Sequence, residues 1–295
     1  MLHFLPKPLI GTVSFLMYIL NTLFWAVPIM CLAMLKLPPV QIWRKWITVL
    51  LDHCASAWIS VNNFTTALFT RIRWDIKGLE NLSVKDWYLV VANHQSWVDI
   101  LVLQKIFNRK IPFLKFFLKK ELIYVPVIGV CWWALDFPFM KRYSAQFLEK
   151  HPHLKGKDIE TTRQACEKFR FKPVSVMNFL EGTRFTQFKH DKQASPFQYL
   201  LKPKAGGIGF VLNAMGEHLH KLLDVTIYYP KGSPSFWDYI CGKVQDIKVR
   251  VRVLPIEKHL IGDYEDAAFR AQFQQWVNQL WTDKDQQLAQ LAKGE

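Results

Sequence analysis

The segment WYLVVANHQSWVDI, residues 87–100, joins a short apolar run to a polar turn and decides the class of fold. The apolar run has the length and composition of a buried strand. The turn brings His94 directly after that strand and Asp99 five residues later, where a helix begins. Because loops at strand ends carry reactive groups in many α/β folds, this segment predicts both an α/β domain and a candidate site.

Further apolar runs of strand length alternate with helical patterns through the rest of the chain. We predict strands at residues 111–118, 174–179, 225–229 and 247–253, a buried helix at 122–135 and a polar helix at 157–169. Apolar residues at helical spacing between Phe269 and Leu280 predict one amphipathic helix near the carboxyl end. Strands interleaved with helices are typical of a layered α/β domain. We assign that domain to residues 71–295, after a helical region at residues 1–70.

The composition of the chain excludes global disorder and small scaffolds stapled by disulfides. Its 295 residues are 51% hydrophobic and 21% charged. Lys and Arg number 38 against 24 Asp and Glu, and the resulting net charge of +14 favours a polyanionic partner, either nucleic acid or anionic lipid. The 5 cysteines are an odd number without a C-x-x-C pair, which indicates a reducing compartment and no structural zinc site.

The amino-terminal region carries a long uncharged segment. Residues 8–35 contain no charged side chain, and a helix of that length exceeds the roughly 30 Å hydrocarbon thickness of a bilayer. Pro28 would kink this helix, so spanning the bilayer and bending back within one leaflet are both open. Residues 47–70 fit an interfacial helix or the return arm of a hairpin. The alternatives are a secretory signal peptide and two core helices of a soluble domain.

Basic residues flank this apolar segment unequally. Three of them follow it and one precedes it: Lys36, Arg44 and Lys45 against Lys7. This asymmetry predicts that the main body lies on the cytoplasmic side. The apolar segment also favours a membrane over nucleic acid as the anionic partner, and we find no nucleic-acid-binding motif.

His94 and Asp99 are the first candidates for chemistry. A carboxylate that reaches one imidazole nitrogen fixes the tautomer and stabilises the imidazolium, which leaves the other nitrogen as a general base. The alternative is structural, because Ser96 and Asp99 match an S-x-x-D capping box and His94 would then be an ordinary turn residue. The motif by itself favours neither interpretation.

A second polar turn, EGTR, follows another predicted strand at residues 181–184. Such a turn can present backbone N–H groups and a guanidinium to a phosphate. The alternative is a surface turn with an ion pair between Glu181 and Arg184. Lys119 and Arg142 lie between the two turns in sequence and would add positive charge to the same pocket if the strand ends converge.

Taken together and in this order, four blocks resemble the PlsC-like glycerolipid acyltransferases, the lysophosphatidic acid acyltransferase family. The family's N-H-x-x-x-x-D, K-x-E-L, F-x-x-R and F-P-E-G-T-R match residues 93–99, 119–122, 139–142 and 179–184. The match continues at residues 185–186 and 189–190 and is similar to a subgroup with the eukaryotic enzymes and the bacterial inner-membrane YihG proteins. Two positions depart from the pattern: Leu180 replaces the usual Pro, and Lys141 replaces an acidic residue.

The resemblance extends from residue 74 to about residue 281 and implies a fold and an activity. The implied fold is an acyltransferase domain with a central mixed sheet flanked by helices, preceded by a membrane helix or helical hairpin. The implied enzyme sits at the inner membrane, with its catalytic domain in the cytoplasm. It moves a fatty acyl chain from acyl-CoA or acyl carrier protein to 1-acyl-glycerol 3-phosphate. The alternatives are another lysophospholipid, such as lysophosphatidylglycerol, and a non-catalytic lipid-binding relative.

The resemblance also implies roles for individual residues. His94 would remove the hydroxyl proton and Asp99 would orient His94, so that the substrate oxygen attacks the thioester without an acyl-enzyme. The phosphate would be held by Lys119, Arg142 and Arg184, beside a turn shaped by Glu181, Gly182 and Thr183. We find no G-x-S-x-G elbow and no metal-ligand motif, and expect no cofactor besides the acyl donor. The aromatic-rich stretch 113–139 is our candidate for the acyl groove.

Overall fold

The computed structural model of the protein describes residues 4–140, 166, 169 and 172–294. The predicted phosphate ligand Arg142, the neighbouring Lys141 and most of the helix predicted at 157–169 lie outside the described residues.

Two long helices form an antiparallel hairpin at the amino end of the chain. Helix α1 (Lys7–Leu35) continues through Pro28, and helix α2 (Gln41–Phe69) is the return arm. Polar side chains join the two helices along their length, with Tyr18 to Thr66 at 2.8 Å, Asn21 to Asn62 at 2.8 Å and Trp58 to Thr22 at 3.1 Å. Helix α1 is long and apolar enough to cross a membrane. The sequence left a single membrane helix and a helical hairpin open as alternatives, and the structure shows the hairpin.

Within the described residues, six strands form one mixed sheet. They are β1 (Arg73–Lys77), β2 (Tyr88–Ala92), β3 (Leu114–Phe116), β6 (Ser175–Phe179), β7 (Lys221–Tyr228) and β8 (Asp246–Pro255), in the order β1-β8-β7-β2-β6-β3. The short strands β4 (Leu118–Lys119) and β5 (Phe139–Met140) pair separately. Strand β2 is parallel to both neighbours, and Ala92 lies opposite Phe179 and Val225. The turns that follow β2 and β6 therefore leave the sheet at the same edge.

Helices cover both faces of the sheet. They are α3 (Val98–Phe107), α4 (Ile128–Ala134), α5 (Gln187–Gln193), α6 (Gly206–Met215), α7 (Phe236–Ile240) and α8 (Ala267–Lys293). Val90 packs into a core with the hairpin and α3, whereas Leu89 and Val91 pack into a second core with α6 and α8. Successive side chains of a strand point to opposite faces, so the uninterrupted apolar run of β2 reflects burial on both faces.

Ion pairs attach the hairpin to the body. Asp52 of α2 accepts hydrogen bonds from Lys115 of β3, at 2.9 Å, and from Lys172. Lys36, at the end of α1, pairs with Asp136 after α4. These contacts join the helical region to the sheet, and the division of the chain at residue 70 stays a prediction.

The predicted layered fold with a central mixed sheet is confirmed, and several elements differ from expectation. Helices α5, α6 and α7 and strand β5 were not predicted. The single helix predicted at 122–135 is wrong: a 3-10 helix (Lys120–Tyr124) ends before Pro126, and α4 begins at Ile128. At Gly129 an added Cβ would lie 2.3 Å from the Ile123 carbonyl oxygen, so the turn between them requires glycine. Strand β1 was not predicted, because its sequence RWDIK alternates without a clear apolar run.

Candidate active site

His94 and Asp99 are in direct contact at the carboxyl end of β2. Nδ1 of His94 lies 2.9 Å from Oδ2 of Asp99. The Asp99 side chain is fully buried in the first turn of α3, whereas that of His94 is 14% exposed. With Nδ1 protonated and donating to the carboxylate, no side chain or backbone group in the described ranges makes a hydrogen bond to Nε2. The pair is therefore arranged so that Nε2 can accept a proton.

Three further donors hold the Asp99 carboxylate. Oδ2 accepts the backbone N–H groups of Gln95, at 2.6 Å, and Ser96, at 2.8 Å. Oδ1 accepts the hydroxyl of Tyr229 at 2.6 Å. Burial, together with the Asp99 charge, holds the pKa of Tyr229 well above its ordinary value, so the phenol stays protonated and donates. These donors fix the position of the carboxylate beside the imidazole.

The capping contacts of the alternative interpretation are present in part. Asp99 reaches back to the N–H of Ser96, as in a capping box, but the Ser96 hydroxyl accepts the N–H of Val98, at 3.0 Å. The same hydroxyl donates to the carbonyl of Pro234. One carboxylate oxygen thus serves both the local turn and the imidazole, and the two interpretations are not exclusive.

Glu181 connects the turn after β6 to the turn after β2. One of its carboxylate oxygens accepts the backbone N–H of His94 at 2.7 Å, and the other accepts that of Leu201 at 3.0 Å. The carbonyl of His94 in turn accepts the N–H of Phe185 at 2.7 Å. Burial raises the pKa of Glu181 to about 8, although the two backbone donors oppose this change. The surface ion pair with Arg184 is wrong, because Glu181 has no exposed surface.

After Glu181, the EGTR turn contains a glycine in a left-handed backbone conformation, and two cationic side chains lie at the turn. The exposed Arg184 guanidinium lies over the indole of Trp97, 4.9 Å from the ring centroid. Lys189 Nζ donates to the Thr183 hydroxyl at 2.8 Å and to the Arg184 carbonyl at 2.9 Å. Gly182 adopts a φ of +67°, a conformation that favours glycine.

Two further lysines differ in their distance from the EGTR turn: Lys204 lies over Gly182, whereas Lys119 lies on β4. Sequence analysis missed Lys204, whose side chain passes over Gly182, with its Nζ 3.5 Å from where a Cβ would lie. The signal for Lys204 was weak, because its segment carries no strand or helix pattern. Lys119 is exposed on β4 opposite Met140, and no contact within the described part of the chain joins it to the EGTR turn. Its role in phosphate binding stays a prediction, like that of Arg142.

A row of aromatic rings leads from the imidazole to an apolar cavity. The His94 ring stacks on Phe179 with centroids 3.9 Å apart. Phe116 lies 6.4 Å from Phe179 and also 6.4 Å from Phe137. Phe137 lines the cavity together with Phe113, with residues of α4 and with residues of the hairpin. The expected acyl groove at 113–139 thus contributes to this cavity, and the hairpin forms a wall that was not expected.

Metal ligation has no visible basis in the described ranges. No three His, Cys, Asp or Glu side chains there come together in a way that could hold a metal ion. That an acyl donor is the sole requirement besides the acceptor stays a prediction.

An imidazole oriented by a buried carboxylate at the carboxyl edge of a mixed sheet is an arrangement that α/β proteins can use for proton transfer. The chain belongs to the acyltransferase family, because the family model described as Acyltransferase matches residues 73–229, more than half of the sequence. The resemblance that four motifs predicted is thereby confirmed.

Curated relatives carry more specific names. The chain is 27% identical over 212 residues to 1-acyl-sn-glycerol-3-phosphate acyltransferase gamma of Mus musculus, covering 68% of this chain and 52% of the relative. It is 26% identical over 266 residues to the delta protein of Homo sapiens, covering 83% of this chain and 63% of the relative. The chain thus spans 52% and 63% of the lengths of these two relatives, less than two thirds in both cases.

A solved structure has a similar fold. It is the crystal structure of the 1-acyl-sn-glycerophosphate (LPA) acyltransferase, PlsC, from Thermotoga maritima, with a TM-score of 0.54 and 16% sequence identity. The similarity covers 96% of this chain and 97% of that one. At this level of identity the likeness establishes the fold alone.

Proposed function

We propose that the protein transfers a fatty acyl chain from a thioester donor to the free hydroxyl of 1-acyl-glycerol 3-phosphate, which yields phosphatidic acid. The observation that carries this proposal is the His94 and Asp99 pair, held at 2.9 Å and anchored by Tyr229. The names of the curated relatives supply the substrate class.

The reaction needs one general base and no acyl-enzyme. Nε2 of His94 accepts the hydroxyl proton while the substrate oxygen attacks the thioester carbonyl carbon. The carbon–sulfur bond then breaks, and the thiolate takes the proton from the imidazolium. Asp99 stabilises that imidazolium, because its carboxylate is buried and fixed by backbone donors.

The EGTR turn suits the phosphate of the acceptor. The Arg184 guanidinium is exposed and can form two parallel hydrogen bonds to a phosphate. Gly182 and Thr183 shape the turn, while Glu181 keeps it against His94. Lys119 and Arg142 are further proposed ligands from the family motifs.

The apolar parts of the structure suit lipid substrates. The cavity between the hairpin and α4 would receive an acyl chain near the aromatic row. Helix α1 would enter the bilayer, with the sheet on the side where Lys36, Arg44 and Lys45 lie. In a bacterium this is the cytoplasmic face of the inner membrane. The donor is acyl-CoA or acyl carrier protein, and the latter would be a protein partner.

An acyl-transfer assay with a panel of acceptors tests the proposal. The full chain is reconstituted in vesicles and supplied with a radiolabelled acyl group, attached as a thioester either to CoA or to acyl carrier protein. We expect the fastest transfer to lysophosphatidate, and loss of transfer in His94→Ala. Faster transfer to lysophosphatidylglycerol would change the acceptor but keep the chemistry. Binding of lysolipids without any transfer would indicate the non-catalytic relative and overturn the proposal.

A further inference from the structure

The segment after β4 exposes several apolar side chains. Its outward-facing residues are Tyr124, Val125, Val127, Val130 and Trp133, which we name the α4 ridge. Tyr124 is 79% exposed, Trp133 54% and Val130 40%. Single exposed apolar residues are common on soluble proteins, whereas a contiguous apolar patch marks an interaction surface.

The opposite face of α4 is committed to the interior. Cys131 and Ala134 are buried. Ile128, Cys131 and Trp132 line the apolar cavity, which is also lined by residues of α1 and α2. Helix α4 is therefore a thin wall, with the cavity on one side and the α4 ridge on the other.

Helix α1, which packs beside α4, also has exposed apolar side chains. Helices α1 and α4 pack against each other, and the ion pair between Lys36 and Asp136 fixes their ends. Phe24 and Val27 of α1 are largely exposed. Both of these adjacent helices thus carry exposed apolar side chains.

Charge flanks the α4 ridge on its amino-terminal side. Lys119 and Lys120 are exposed, against the single carboxylate of Glu121. A basic residue beside exposed aromatic and aliphatic side chains is typical of the boundary between anionic headgroups and acyl chains. This charge complementarity favours a lipid surface as the occupant.

We infer that the α4 ridge is a second membrane-contacting element, which lies at the level of the headgroups and upper acyl chains beside α1. The inference rests on the proposed entry of α1 into the bilayer and does not depend on the acyl-transfer reaction. It places α4, the outer wall of the apolar cavity, against lipid. An acyl chain that enters the cavity from the bilayer then has only α4 to pass.

Spin-label depth measurements on the full chain test this inference. Cys31, the exposed cysteine of α1, is first replaced by Ser. The Cys31→Ser protein without any added cysteine measures how much label the remaining native cysteines take up. Labels are attached at Val130→Cys, at Phe24→Cys on α1, and at Val84→Cys as a control. Val84 is 51% exposed and precedes β2, at the sheet edge opposite His94. Vesicles contain equal parts of phosphatidylcholine and phosphatidylglycerol, without substrate.

We expect the labels at 130 and 24 to collide often with oxygen, which dissolves in the acyl region, and rarely with a water-soluble nickel chelate. The label at 84 should show the reverse. Free access of the nickel chelate to position 130 would overturn the inference. So would shielding of position 130 from both reagents, which would indicate a second copy of the chain or a protein partner. Because no substrate is present, an inactive enzyme would still give a clear result.

Vesicle binding supplies a second test. Replacing Tyr124 and Trp133 by Ser should weaken binding to neutral vesicles by about 10-fold or more, because each side chain loses apolar burial. Lys120→Gln should weaken binding to anionic vesicles by about 5-fold and leave neutral vesicles unaffected. Val84→Ser and Lys85→Gln are the matched exposed controls. Equal effects of the ridge and control substitutions would refute the assignment.

Discussion

Replacing Glu181 by Gln tests whether one buried carboxyl joins the two turns of the site. Glu181 accepts the N–H of His94 at one oxygen and that of Leu201 at the other. Gln offers one oxygen and one amide N–H₂ group, so one of the two backbone donors must face another donor. An unpaired buried donor costs about 1–3 kcal/mol. Below pH 4.5, where the contribution of Glu181 to stability is full, we expect the free energy of unfolding to fall by that amount. We also expect transfer to slow, because the backbone of His94 shifts.

The raised pKa of Glu181 adds a pH dependence with a definite sign. Its pKa is about 8 in the folded protein, against an ordinary value of 4.5. Between these values the folded state binds a proton that the unfolded state has released. The contribution of Glu181 to stability is therefore full below pH 4.5 and lost as pH rises to 8, at a slope of no more than about 1.4 kcal/mol per pH unit. Gln cannot titrate, so this slope disappears in Glu181→Gln.

Denaturation in detergent micelles, followed by tryptophan fluorescence across this pH range, measures both effects. Glu217→Gln is the control, because Glu217 is exposed, and it should match the unsubstituted protein. We expect the stability advantage of the unsubstituted protein over Glu181→Gln to shrink as pH rises above 4.5 and to change sign before pH 8. Parallel pH curves for the two proteins would refute the argument that burial of Glu181 controls its protonation.

Five other substitutions, at four positions, test the remaining parts of the site. His94→Ala should lower the transfer rate by about 100-fold to 10,000-fold, and Asp99→Asn should lower it strongly, with vesicle binding unchanged; near-normal turnover in His94→Ala would exclude it as the base. Tyr229→Phe leaves Oδ1 of the buried Asp99 without its donor and should cost about 1.5–3 kcal/mol of unfolding free energy, measured by the same denaturation assay. Arg184→Ala should raise the KM for lysophosphatidate by roughly 10-fold to 150-fold, with partial recovery in Arg184→Lys; equal effects on phosphorylated and unphosphorylated acceptors would remove Arg184 from the phosphate site.

The contact between His94 and Asp99 could be predicted because it is local. Five residues separate them, and a buried strand followed by a polar turn is visible in any single sequence. Tyr229 is 130 residues from Asp99, and only the parallel pairing of β7 with β2 brings them together. Its position at the end of a predicted strand was the available signal, but strand order was not predicted.

Burial was harder to predict than proximity. The spacing of Glu181 and Arg184 is that of a surface ion pair, and nothing in the sequence indicates that the carboxyl turns inward. Pro126 was visible within the predicted helix at 122–135, yet the apolar pattern outweighed it. The structure shows why the pattern misled: the apolar residues on one side of α4 are exposed rather than buried.

The two buried acids of the site are held in ways that suit different tasks. Asp99 accepts bonds from the imidazole, two backbone N–H groups and a phenol, so its negative charge is available to an imidazolium. Glu181 accepts two backbone N–H groups, and the Asp99 charge raises its pKa further. Lys284, buried beneath the sheet with Asp224 as its partner, partly offsets that effect. A second full negative charge next to His94 would compete with Asp99 for the imidazolium, and a carboxyl that remains largely protonated near neutral pH avoids that competition while it still accepts the N–H of His94.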